Sequence, residues 1–165
     1  MDMEPEQPMV EILQAPACLS IGEIAAVLIT TNMGEVIQGQ VAARRALTPL
    51  VHAFALRMVT AHTEANQEVA IFLNVLGATP VETPLSLGLA ERAVDEVNLL
   101  QAVPPLSFDW FYMEQQIQAH ERALTMIDQV LLPSAHDQHA VNLLADARLM
   151  ISNHLVLAVS IGQNL

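Results

Sequence analysis

Residues 48–77, TPLVHAFALRMVTAHTEANQEVAIFLNVLG, show the clearest helical pattern in this chain. Its apolar side chains recur at alternating steps of four and three, the spacing of an amphipathic helix packed in a bundle. Pro49 in the first turn and Gly77 after the last turn predict where the helix begins and ends. The predicted inner stripe consists of Val51, Ala55, Met58, Ala65, Val69, Phe72 and Leu76, and one polar residue, His62, fills its gap.

Two later segments repeat this pattern. One helix is predicted from Ser107 to about Leu132 and another from Ala135 to about Gly162, and His120 and His154 fill the gaps in their stripes. A titratable side chain at a core position is costly unless it is paired or bound to a metal, so these histidines indicate a site. The two stripes are Trp110, Met113, Ile117, Leu124, Ile127 and Leu131, then Ala140, Leu144, Ala147, Ile151, Ala158, Ile161 and Leu165.

The first long helix begins at the capping box formed by Ser20 and Glu23 and is predicted to end near Ala46. It is apolar on more than one side, and one acceptable inner stripe carries Glu35. At a rise of about 1.5 Å per residue, Glu35 and the three histidines fall near the middle of their helices. That stripe is Ile21, Ile24, Leu28, Thr31, Glu35, Gln38 and Ala42.

These segments predict an all-α, ferritin-like four-helix bundle. A shorter helix, about Ser86 to Ala102, is expected in the crossover between the second and third long helices, with Leu89, Ala93, Val97 and Leu100 facing inward. Residues 1–19 read as a flexible, acidic leader that contains proline, and residues 20–165 read as a single domain.

Composition excludes several functions. The net charge is −12, with six arginines and no lysine, so nucleic acid is not an expected partner. The missing lysine also removes Schiff-base chemistry and Walker-type phosphate binding. No segment reads as transmembrane, because the most apolar run, residues 21–31, is short and interrupted by Glu23. The single Cys18 excludes an internal disulfide.

Three imidazoles and one carboxylate suit a divalent transition metal, so Glu35, His62, His120 and His154 are the predicted ligands of one zinc, iron, manganese or copper ion. Asn66 and Tyr112 are candidate partners for the histidines, and Met58 and Met150 raise copper as a minor option. Haem is less favoured. An ordinary di-iron centre is not expected, because no Glu-x-x-His motif occurs. The competing interpretation is a buried hydrogen-bond network without metal.

Four segments resemble the bacterial family of domain of unknown function 4142. They are residues 32–36 (NMGEV), 54–62 (FALRMVTAH), 108–112 (FDWFY) and 153–155 (NHL) with Ala158. The resemblance implies a ferritin-like fold and an exported, periplasmic or outer-membrane protein, but no established reaction. The leader lacks the features of a secretory signal, so the cytoplasm remains the alternative location. The family pattern has acidic residues before the histidines of the second and third long helices, where this chain has Ala61 and Ala119.

The sequence is compatible with two functions. The first is a metal-binding bundle, and the sequence does not say whether it is an enzyme. The second is a non-enzymatic structural or interaction module of the cell envelope, which could be a homo-oligomer. This second hypothesis rests on a second apolar side of the first helix, formed by Ala26, Ile29, Met33 and Val36.

Overall fold

The computed structural model describes residues 18–165, and within that range the chain forms helices and no strand. The predicted flexible leader therefore lies almost wholly outside the described residues. The all-helical fold and the short helix between the second and third long helices are confirmed, while the ferritin-like assignment stays a prediction. The five main helices are α1 (Ile21–Arg45), α2 (Pro49–Leu76), α3 (Pro84–Ala102), α4 (Phe108–Met126) and α5 (Gln138–Gly162).

Local signals in the sequence set the helix ends. The Ser20 hydroxyl accepts from the Glu23 backbone N–H at 3.2 Å, and the Glu23 carboxylate accepts from the Ser20 N–H at 2.8 Å, which completes the predicted capping box. Thr48 caps α2 ahead of Pro49. Gly77 ends α2 in the left-handed region at φ 62°, a conformation that glycine adopts without a steric penalty.

Contacts at the helix ends fix the directions of the helices. The Asp109 carboxylate, at the start of α4, accepts from the backbone N–H groups of Leu47 and Thr48 at 3.0 and 2.7 Å. Helices α2 and α4 therefore begin at the same end of the molecule, called here the near end. The Arg45 guanidinium, at the end of α1, donates to backbone carbonyls at the end of α3, including that of Gln101 at 3.0 Å. Helix α3 thus brings the chain back to the near end.

Helices α1 and α2 pack as one antiparallel pair, α4 and α5 pack as another, and α3 lies mainly against α1. The apolar core falls into two clusters, one toward each end. The near-end cluster includes Phe54, Phe108 and Met113, and the far-end cluster includes Leu28, Ile127 and Leu144. Between the clusters lies a set of buried polar residues, called here the middle layer: Asn32, Glu35, Gln38, His62, Gln116, His120 and His154.

The predicted inner face of α4 was partly wrong. Trp110 is 59% exposed, whereas Tyr112, Gln116 and His120 are buried. The inner face of α4 contains Tyr112, Gln116 and His120, which are spaced four residues apart. Because Gln116 is polar, the apolar pattern did not indicate that this face is buried. The inner side predicted for α3 is confirmed: Leu100 is buried, and Leu89, Ala93 and Val97 are partly buried.

The chain stays helical after α4, through a π-helical stretch Ile127–Leu131 and a short turn Leu132–Ser134. The helix was predicted to end near Leu132, but it continues to Ser134, and Pro133 lies inside its last turn. Proline lacks an N–H and clashes with the carbonyl four residues earlier in a regular α-helix. The wider π-helical turn just before Pro133 relieves that clash.

Helix α5 is long and apolar enough, by length and composition alone, to cross a membrane, with a mean hydropathy of 1.3. The core helix of a bundle can meet the same criterion, and Leu144, Ile151 and Ala158 on α5 are buried in the core. Only 28% of the apolar window is buried, however. The absence of a transmembrane segment therefore stays a prediction.

Candidate metal centre

Three histidines from three different helices meet in the middle layer. His62 on α2, His120 on α4 and His154 on α5 are 1%, 2% and 3% exposed. Each histidine contributes one ring nitrogen to a group of three nitrogens that all lie within 4.8 Å of one another. The ring centroids are 5.3 to 5.9 Å apart. The structure thus brings together the three histidines that fill the gaps in the predicted stripes.

A chain of two amides orients His62. Its Nδ1 lies 2.8 Å from the Asn32 Oδ1, and the Asn32 Nδ2 donates to the Asn66 Oδ1 at 2.9 Å. Because a carbonyl oxygen only accepts, the His62 Nδ1 carries the hydrogen and the Nε2 of the neutral ring keeps its lone pair. Second partners of this kind fix the tautomer of metal-binding histidines.

His120 is oriented by its own helix. Its Nδ1 donates to the backbone carbonyl of Gln116, one turn earlier, at 2.8 Å. In the neutral ring the Nε2 therefore also keeps its lone pair. The His62 Nε2, the His120 Nε2 and the His154 Nδ1 are all buried without a hydrogen-bond partner. Each buried, unsatisfied nitrogen of this kind costs about 1–3 kcal/mol, and a shared cation would satisfy all three.

Burial also keeps two of these rings unprotonated. Desolvation lowers the pKa of His62 well below its usual range, and His120 and His154 add smaller contributions. Burial lowers the pKa of His154 to about 4, with further contributions from His120 and Arg57. Neutral imidazole is the form that binds a metal. At pH 7 these two side chains need not lose a proton before binding.

Glu35, the fourth predicted ligand, is buried in the middle layer at 6% exposure. Its carboxylate does not belong to the group of nitrogens that lie within 4.8 Å of one another. The Oε2 has no hydrogen-bond partner. Glu35 thus lies in the same layer as the histidines, and its role as a direct ligand of their ion stays a prediction.

The partners of the histidines differ from those proposed from the sequence. Asn66 acts through Asn32, which the sequence analysis missed, and no hydrogen bond joins Tyr112 to any of the three rings. A signal for Asn32 was available, because it lies three residues before Glu35 on the same face of α1. The competing interpretation, a buried hydrogen-bond network without metal, is therefore only partly met, because His62 and His120 each form one hydrogen bond and Glu35 Oε2 forms none.

The two alanines at positions where the family pattern has acidic residues border two openings beside the histidines. Ala61 lines a surface groove between α2 and α5 together with His154 and Met150. Ala119 lines a cavity of about 560 Å³ between α1, α3 and α4, which Glu35 also lines. Met58 is fully buried in the near-end cluster, as the core interpretation of this methionine predicts.

The remaining residues singled out from the sequence lie away from the centre. The other three histidines, His52, His136 and His139, are exposed. Cys18 is free and exposed, with its Sγ 3.0 Å from the His136 Nε2. Asp109 has a structural role, because its carboxylate accepts hydrogen bonds from the turn between α1 and α2 and its charge lies in the first turn of α4.

Comparison with known proteins supports the resemblance noted from the sequence. Searches of curated proteins and of solved structures found no match to this chain. The model of one family, the domain of unknown function 4142, matches residues 14–161. Since that match covers most of the chain, the protein belongs to the domain of unknown function 4142 family.

Proposed function

We propose that this protein binds one divalent transition metal ion through His62, His120 and His154. The observation that carries the proposal is that one ring nitrogen from each of the three buried histidines lies within 4.8 Å of the others, and that each ring has one buried nitrogen without a hydrogen-bond partner. Such a group is expensive without a cation. Three imidazoles with one open position are a common set for zinc, copper and iron, and manganese is the less favoured alternative.

Metal binding would require the three histidine rings to move slightly. Zinc–nitrogen bonds of about 2.0–2.1 Å in a tetrahedral site place ligand nitrogens about 3.4 Å apart, and the three nitrogens here lie within 4.8 Å of one another. Binding would therefore draw the rings inward by about 1 Å. Asn32 and the Gln116 carbonyl hold two of the rings in the required tautomer.

Glu35 supplies negative charge beside the ion. We infer that it offsets part of the ion's charge from within the middle layer, where its carboxylate is buried. The ferritin-like fold is part of the proposal, and it is supported by the helix directions, in which α3 carries the chain back to the near end. Export to the periplasm, which the family resemblance implies, belongs to the same proposal.

The test is elemental analysis of protein purified without a metal-affinity tag, followed by thermal melts with added zinc, copper or iron. We expect about one metal ion per chain and a higher Tm with metal. His120→Ala should lose both effects, while the matched control His52→Ala, which removes an exposed histidine, should keep them. If the wild-type protein takes up no stoichiometric metal and its Tm does not change, the proposal is wrong.

The second candidate function is an interaction module that forms an oligomer. Met33 and Ile37 on α1 favour it, because they are 52% and 42% exposed. The apolar side of α1 that suggested this function is smaller than predicted, because Ala26 is buried within the chain and α3 covers one side of α1. A Cβ built on Gly34 would lie 3.1 Å from the Ala93 Cβ, so these two helices pack closely. Light scattering measures the molar mass in solution. A monomer would contradict this function, whereas a dimer that dissociates in the Met33→Gln variant would support it.

A further inference from the structure

The cavity of about 560 Å³ between α1, α3 and α4 is separate from the metal centre, because none of the three histidines lines it. Helices α1 and α3 pack closely, whereas α4 makes few contacts with either of them, so a gap remains on this side of the molecule. The residues along the gap include four small ones, Gly34, Ala93, Ala119 and Ala123. The volume lies within the range of about 300–1,000 Å³ that is usual for small-molecule sites.

The walls of the cavity are mainly apolar. Leu85 and Leu89 line it from α3, and Met126 lines it from α4. Both leucines are partly buried and Met126 is buried, while Gln118 and Thr125 are exposed at the rim. A ligand that fills this space therefore needs an apolar body.

A single buried carboxylate, that of Glu35, interrupts this apolar lining. Glu35 lines the cavity at 6% exposure, and its Oε2 has no hydrogen-bond partner. Among residues 18–165 no arginine or histidine forms an ion pair with Glu35. A buried charge of this kind is costly unless a partner of opposite charge offsets it.

The other charged groups of the cavity offset one another. The Arg122 guanidinium lies 2.5 Å from the Glu96 carboxylate, which also accepts from the Gln38 Nε2 at 3.0 Å. Arg92 and Glu121 carry opposite charges, and both are exposed. Of the described residues that line the cavity, the buried carboxylate therefore remains the one charge that is not offset.

We propose that this cavity binds a small primary amine with an apolar tail. The ammonium group pairs with the Glu35 carboxylate, and the tail lies along Leu85, Leu89 and Met126. An ammonium group offers three donors and a positive charge, and its hydrogen bond to a carboxylate is about twice as strong as one between neutral groups. An alcohol lacks the charge, and a carboxylic acid would place a second negative charge beside the first. This site does not depend on metal binding by the histidines.

The test is a calorimetric titration of the full chain with octylamine, 1-octanol and octanoate, which share one tail and differ in their head group. It is run in about 1 M salt, where a Debye length of about 3 Å screens weak binding to the acidic surface. We expect one octylamine per chain, bound at least about tenfold more tightly than 1-octanol, and octanoate bound more weakly than either. The affinity for octylamine should be unchanged in His120→Ala, because the amine does not bind at the metal centre.

Two variants separate the head group from the tail. Glu35→Gln keeps the shape of the side chain and removes its charge, so octylamine should bind at least about tenfold more weakly while 1-octanol binds as before. Ala119→Leu fills part of the cavity and should exclude both ligands. The matched control is Glu64→Gln, which removes an exposed carboxylate from the groove between α2 and α5 and should leave the affinity for octylamine unchanged.

Several results would overturn the proposal. They are no binding of octylamine to the wild-type protein, equal affinities for octylamine and 1-octanol, or an unchanged affinity for octylamine in Glu35→Gln. If Glu35→Gln fails to fold, an unchanged affinity in Ala119→Leu overturns it equally. Loss of binding in His120→Ala would assign the amine to the metal centre, and loss in Glu64→Gln would assign it to the other groove. A protein that binds octylamine through Glu35 and takes up no metal would support this site and contradict the three-histidine proposal alone.

Discussion

The two apolar clusters and the middle layer between them stabilise the fold in different ways. In the clusters, Phe54, Ile127 and Leu144 are buried against other apolar side chains, so each contributes through the hydrophobic effect and close packing. In the middle layer, His62, His120 and His154 each leave one buried nitrogen unpartnered. The ends of the core therefore stabilise the fold, whereas the middle layer contains buried polar atoms that lower its stability.

This contrast also separates two kinds of experiment. A substitution in an apolar cluster should lower stability and leave cation binding intact in the molecules that remain folded. A substitution in the middle layer should abolish or weaken cation binding at a smaller cost in stability. The predictions below test this division, from the largest expected effect to the smallest.

His154→Leu replaces a middle-layer histidine by an apolar residue of similar volume. We expect zinc affinity to fall at least about 100-fold, since one of three proposed ligands is lost and even the partners of ligands contribute about 10- to 100-fold. The stability of the metal-free protein should stay the same or rise, because an unpartnered nitrogen leaves the core. Zinc titration followed by calorimetry and urea unfolding measure the two quantities.

Leu144→Ala tests the apolar side of the comparison. Leu144 is 0% exposed, and truncation of a buried leucine costs about 2–5 kcal/mol in the free energy of unfolding. Zinc affinity should be unchanged. The matched control is Leu149→Ala on the same helix, where the side chain is 63% exposed and the expected change is about 0.5 kcal/mol or less. Equal losses in the two variants would contradict the assigned core.

The metal-free protein should lose stability as the pH falls from about 6.5 toward 4. The folded state holds the pKa of His62 well below 6.5 and that of His154 at about 4. The unfolded chain therefore takes up protons first on acidification, and the stability is fully present only above about pH 6.5. Because His154 borders an open groove, we expect its loss to be only about 2 kcal/mol or less.

Thermal melts between pH 4 and 8 in the presence of a chelator measure this dependence. His154→Leu should flatten the profile, since it removes one of the titrating groups. His136→Ala is the control, because that histidine is exposed. A profile of His154→Leu as steep as that of the wild-type protein would show that another group causes the acid sensitivity.

Asn32→Ala should weaken the metal centre less than the loss of a histidine ligand does. Asn32 accepts the hydrogen of the His62 Nδ1 and thereby holds the Nε2 free to bind. Loss of such a partner weakens metal binding by about tenfold, at the low end of the range for these interactions. Asn66 is one hydrogen bond further from the ring of His62, so Asn66→Ala should weaken metal binding less. The reverse order of the two variants would contradict this orientation of His62.

Much of the fold could be predicted from the sequence, because caps and apolar periodicity act locally. The capping box at Ser20 and the glycine at position 77 place helix ends where the structure has them. The three histidines could be predicted to meet, because each fills a gap in an otherwise apolar stripe. The chain's membership of the family was also predicted, and the family model confirms it.

Two residues of the middle layer, Asn32 and Gln116, were not predicted, whereas Glu35 and Gln38 lie on the predicted inner stripe of α1 and are buried. Neither Asn32 nor Gln116 fills a gap in a predicted stripe, so both were assigned to the outside, and Trp110 was wrongly placed in the core. The distance from Glu35 to the rings depends on how α1 is rotated against α2 and α4. That rotation follows from packing between helices, including the close contact of α3 with α1, and no local signal in the sequence encodes it.

X-ray absorption at the zinc edge of the zinc-loaded protein is the most direct test of the central claim, that three histidines from three helices bind one metal ion. We expect three imidazole nitrogens at about 2.0–2.1 Å, with one further light atom in the fourth position. In His120→Ala the imidazole scattering should fall to that of two rings. A spectrum dominated by oxygen ligands, or one that His120→Ala leaves unchanged, would contradict the three-histidine centre.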